Sequence, residues 1–148
     1  MIWESFVFIR DELNNYLSDK LDQSSPVVMG NIAQLNEGNG GGEGLGEKII
    51  LSLVNVEENR ISKNPENFVK VGTQVVYKNP KIHLNIYCLF SVNKEYEEAL
   101  KSLTHIIRFF QHHNVFNHQN SPLLDQGIEK LIFDLHTLGF EQMNQLWA

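Results

Sequence analysis

Six glycines fall between residues 37 and 46 of this 148-residue chain. A glycine-rich stretch is the first place to look for chemistry, because its main-chain N–H groups can form a nest that holds an oxyanion at a helix start. The spacing that does so is missing. No window from Gly38 to Lys48 reads G-x-G-x-x-G, and Lys48 follows Gly46-Glu47 and precedes Ile49, so there is no Gly-Lys-Ser/Thr. With almost nothing apolar to bury, residues 37–46 are expected to form a mobile loop. His112, His113 and His118, with Asp125 or Glu129, could contribute to a metal site. Neighbouring histidines on a helix diverge by roughly 100°, however, His118 falls beyond the expected helix end, and no H-E-x-x-H occurs. Imidazolium at a helix C-terminus complements the dipole without a metal. Cys88 is the one thiol, and it sits in an apolar strand where it reads as an inert core residue. Glu57-Glu58 and Glu97-Glu98 fall where a solvated strand end and a helix N-terminus place carboxylates, and neither pair calls for acid–base work. The residues spell out no catalytic group, no metal and no cofactor.

The elements around these residues are clearer than the chemistry. Phe6, Ile9, Leu13, Tyr16, Leu17 and Leu21 recur at three- and four-residue steps and predict a first helix over residues 2–21. Ser24-Ser25-Pro26 breaks it, and residues 27–35 read as a short strand interrupted by Gly30. Residues 47–58, with Ile49, Ile50, Leu51, Leu53, Val54 and Val56, predict a strand buried on much of both faces. Asn64-Pro65-Glu66-Asn67 marks a turn. Residues 68–77 alternate weakly around Gly72 and predict an edge strand or an arm. Ile82, Leu84, Ile86, Cys88, Phe90 and Val92 keep strict period two over a strand at 81–92. A long helix follows, with Asn93 as N-cap, acids in its first turn, and Tyr96, Leu100, Leu103, Ile107 and Phe110 on its inner face. Ser121-Pro122 reads as a helical turn, residues 128–138 as a strand or as part of a helix over 123–136, and residues 140–147 as a last helical turn or two. The expected fold is α+β: one domain over 1–148, with a mainly antiparallel sheet packed against two long helices.

Composition excludes several partners. A net charge of −6 and a pI near 5.4 argue against a phosphate-binding surface, so no nucleic acid is expected. Nothing approaches the roughly 18 uninterrupted apolar residues of a membrane span, and the N-terminus lacks the basic start of an export signal. One cysteine cannot form an internal disulfide and fits a reducing compartment. The aromatic residues point instead to surfaces. Phe109-Phe110 spans two directions of one helix, Phe116 follows its end, and Trp3 and Trp147 stand near the termini, which is more apolar surface than one helix face can bury. The candidate interface residues are Phe68, Val69, Val71, Val75 and Tyr77 in the arm, with Trp3, Phe116 and Trp147.

One block is distinctive enough to compare with known families. Tyr77-Lys78-Asn79-Pro80-Lys81-Ile82-His83-Leu84-Asn85-Ile86-Tyr87-Cys88-Leu89-Phe90-Ser91 resembles the N-terminal domain of the cap, or tail-terminator, protein of extracellular contractile injection systems. These are phage-tail-like particles of the antifeeding-prophage and virulence-cassette type. Further matches fall in register at Val54-Asn55-Val56-Glu57-Glu58, Tyr96-Glu97-Glu98-Ala99-Leu100, Leu103, Phe109-Phe110-Gln111, Phe116 and Glu141-Gln142-Met143-Asn144-Gln145-Leu146-Trp147. The resemblance implies a tail-terminator-like fold and a sixfold ring of the chain itself, bound to sheath and inner-tube proteins, that ends their polymerisation and joins them. It implies assembly in the bacterial cytoplasm and a final place at the distal end of the particle. It carries over no catalytic residue. The family pattern usually continues past the last tryptophan, which leaves open whether the native chain extends beyond Ala148. Two other readings stand beside it: a small phosphate- or nucleotide-binding enzyme using the glycine loop, and a baseplate or collar adaptor of the same machine.

Overall fold

The computed structural model describes residues 1–22, 26–33, 46–61 and 68–147. Helix α1 (Ile2–Leu21) forms as the periodicity predicts, burying Phe8, Ile9, Leu13 and Leu17 on one stripe, and it ends where Asp22 turns left-handed at φ 47°. Strand β1 (Val27–Met29) pairs in parallel with β2 (Ile49–Glu58), and β2 pairs antiparallel with β5 (Leu84–Val92), so the sheet order is β1-β2-β5. Helix α2 (Tyr96–His112) and α1 pack together against this sheet. Val27, Ile49 and Leu51 meet Leu13, Leu17, Ile106 and Phe109 in the core. Phe116, on β6 (Val115–Asn117), extends that core, packing edge-to-face on Phe8 at 5.4 Å and on Phe133 at 5.7 Å. The α+β class stands, with a parallel pair inside an otherwise antiparallel arrangement and a third, shorter helix, α3 (Phe140–Trp147).

Several local expectations change. The first strand stops at Met29 rather than running to residue 35, and residues 34–35 lie outside the described residues, as do the Asn64–Asn67 turn and residues 37–45 of the glycine loop. Strand β2 is buried at Ile49, Ile50, Leu51 and Ser52, but its outer half from Leu53 is largely exposed. Its apolar run is longer than the layer that covers it. Residues 68–77 are not one strand but a hairpin, β3 (Phe68–Val71) and β4 (Gln74–Tyr77), turned at Gly72 with φ 63°, a backbone region glycine enters without steric cost. Strand β5 starts at Leu84, not at Lys81.

Helix α2 begins after Glu95 rather than at an Asn93 cap, and its inner face is turned by just under one residue step. Ser102, Ile106 and Phe109 are buried, Leu103 and Phe110 are half-buried, and Tyr96, Leu100 and Ile107 face outward. Ser102 is tolerated inside because its hydroxyl donates to the Glu98 carbonyl at 2.8 Å, leaving no unpaired group. Residues 128–138 form neither a long strand nor a helix. Only β7 (Lys130–Ile132) is extended, paired with β6.

Candidate assembly interface

The two sides of the three-stranded sheet are unlike. At the β1 side, the Val27 N–H donates to Asn14 Oδ1 at 2.8 Å and the Asn14 amide donates to the Val27 carbonyl at 3.1 Å. The Ile49 N–H to Pro26 carbonyl and Gly30 N–H to Leu51 carbonyl bonds show that residues 26 and 30 face β2, so Val27 faces away from it. A side-chain amide on α1 therefore occupies the place of a neighbouring strand. With only three paired residues and the Val27 groups already bonded to Asn14, this edge offers little room to a further strand.

The β5 side is open. Asn93 donates its N–H to the Lys48 carbonyl at 3.0 Å and Asn59 donates to the His83 carbonyl at 2.8 Å, at opposite ends of the β2–β5 ladder. These bonds fix the phase: odd-numbered residues of β5 face β2, and Leu84, Ile86, Cys88, Phe90 and Val92 turn their main-chain groups outward. The register shift falls on β2 between Leu53 and Asn55, so β5 itself keeps one phase throughout. Among the described residues no other strand pairs with this nine-residue edge. His136, in the coil after β7, lies edge-to-face on Tyr87 at 5.2 Å without making a main-chain ladder.

Elsewhere the surface is apolar in separate places. The hairpin exposes Phe68, Val71, Val75 and, at 82 %, Tyr77, while the Val69 side chain lies outside what the structure describes. Trp3 is 67 % exposed and Trp147 62 %. Helix α3 buries no residue and carries Phe140, Met143, Leu146 and Trp147 outward. Phe116 is different: at 3 % exposed it belongs to the core, and the surface candidates are the others. The outward residues Tyr96, Leu100 and Ile107 and the β5 edge were not legible as surface from the sequence. Strand order leaves no local signature in the sequence.

Several residues whose types could do chemistry are engaged in other contacts. Burial raises the Cys88 thiol above its ordinary range, which keeps it protonated and unreactive as a nucleophile. His113 lies beside the Phe109 and Phe116 rings at 6.2 and 6.3 Å. Glu129 binds Lys81 at 2.7 Å, a hydrogen bond that lowers its pKa, and Asp125 accepts the Gly127 N–H. Glu97, in the first turn of α2, is likewise lowered by its hydrogen bond to Lys101. Among the described residues no three His, Cys, Asp or Glu side chains gather as a metal site would require, and no helix is long and apolar enough to cross a membrane.

Residues 7–148 match the family model described as the Pvc16 N-terminal domain. A comparison with curated proteins finds no match.

Proposed function

The chain belongs to the Pvc16 N-terminal domain family of phage-tail-like contractile injection systems, and from that membership we propose that it is the cap, or tail-terminator, subunit of such a particle. Copies of the chain form a ring, a hexamer in the tail-terminator pattern, seated on the last layer of inner tube and sheath. The ring stops growth of both polymers and ties them together. The chain acts as one domain, because α1, the sheet and α2 share a single core.

The observation that carries this reading is the inequality of the two sheet edges. A terminator needs an acceptor for the polymer below it and must offer no copy of that acceptor above. The β5 edge can take a strand from a sheath subunit along Leu84, Ile86, Cys88, Phe90 and Val92, each main-chain hydrogen bond adding about 1 kcal/mol net. The β1 edge is three residues long and Asn14 holds the Val27 groups, so it is poorly suited to pass a strand on. The hairpin residues Phe68, Val69, Val71, Val75 and Tyr77, with Trp3 and Trp147, are the accompanying subunit contacts.

Particle length tests the proposal. A producing strain that lacks this chain should release tubes and sheaths of uncontrolled, often excessive length when measured by electron micrography. Uniform particles of normal length would overturn the terminator role and direct attention to a baseplate or collar position.

A further inference from the structure

The β3–β4 hairpin and a shallow groove on α1 carry opposite charge and matching apolar content, and we infer that they are the two halves of a contact between copies of this chain. The inference deepens the ring reading and rests on it.

The groove, of about 270 Å³, runs along the first turns of α1 and the loop after β6. Trp3 and Leu123 give it exposed apolar walls, and Glu4, Asp11, Glu12 and Asp125 line it without a single Lys or Arg. Glu4 binds the amino terminus and Asp11 binds Arg10 at 2.8 Å, while Glu12 makes no ion pair among the described residues. No hairpin residue lines the groove of its own chain.

The hairpin is the complement. Residues 68–81 contain Lys70, Lys78 and Lys81 and no acid. Lys81 is held by Glu129, but Lys70 and Lys78 make no ion pair among the described residues. Cross-strand register puts Phe68 beside Tyr77 and Lys70 beside Val75, and such pairs share a face, so one side of the hairpin presents two aromatic rings next to a cation. A lone two-stranded hairpin is marginal in water and gains stability by packing on something. A second copy is the occupant because this sequence supplies both the cationic arm and the anionic groove, on different elements. One copy's arm in the next copy's groove is a heterologous contact, the kind that closes into a ring when its rotation allows.

Charge reversal tests the contact by sedimentation of the purified full chain. Lys70→Glu with Lys78→Glu, and separately Asp11→Lys with Glu12→Lys, should each weaken self-association about tenfold or more. All four changes together should restore it, and the wild-type contact should weaken as salt screens it. Unchanged far-UV dichroism and melting would show that each variant folds. If the wild type assembles and neither reversal lowers its mass, this contact is wrong although a ring exists by other surfaces. A wild type that stays monomeric at the highest concentration also overturns the contact, and the terminator reading is then decided separately by particle length.

Discussion

Asn14 shows how much one polar side chain can determine. Its amide bonds both main-chain groups of Val27, a residue that is 1 % exposed, and Asn14→Ala would leave that N–H and carbonyl with nothing beside them. Each buried group left unpaired costs about 1–3 kcal/mol, so the variant should unfold at a clearly lower urea midpoint with an unchanged slope. Asn14→Asp, which keeps the acceptor for the Val27 N–H, should lose less. A variant as stable as the parent would mean that the closed edge does not depend on this amide. The neighbouring Leu13 and Leu17 were readable directly, because burial at helical spacing is a property of the sequence itself. Asn14 was not. It read as a polar residue on the outer face of a helix, and its partner lies thirteen positions away, on an element whose placement only the folded chain defines.

At the level of elements, the phase of β5 makes a sharp distinction between adjacent positions. The Asn85 N–H points to β2 and the Ile86 N–H to the open edge. Proline removes the donor in either case, yet only at Asn85 does it break an internal ladder bond. Asn85→Pro should therefore reduce stability more than Ile86→Pro, although Asn85 is exposed and Ile86 is half-buried. Ile86→Pro should instead impair sheath binding in a pull-down with the fold kept. Equal stability losses would show that the phase assignment is wrong, and undiminished sheath binding by Ile86→Pro would show that the sheath does not use this edge. The period-two pattern gave the strand and its apolar face, because alternation is local. Its place at the edge of the sheet could not be read, since pairing order depends on long-range contacts. The same limit explains α2, where Tyr96, Leu100 and Ile107 of the expected inner stripe turned outward while Leu103 and Phe110 stayed half-buried. Ser102, Ile106 and Phe109 took the buried positions instead. Exposed apolar residues on such a helix are candidates for burial against a partner.

For the whole molecule, the relevant contrast is between a subunit that propagates an assembly and one that completes it. Tube and sheath proteins present the same kind of end after every addition, so their polymers lengthen with supply. Under the proposed cap role, a chain whose sheet is open along β5 and blocked by Asn14 at Val27 of β1 would behave as a titrant of ends. Added in increasing amount to uncapped particles, it should bind until every end is filled and then remain in solution, with the bound fraction by quantitative mass spectrometry reaching a plateau set by the number of particles. Binding that rises without limit would mean that the second edge also recruits. In that role the blocked edge would make the bound chain a counter of finished particles, independent of how much polymer each one contains.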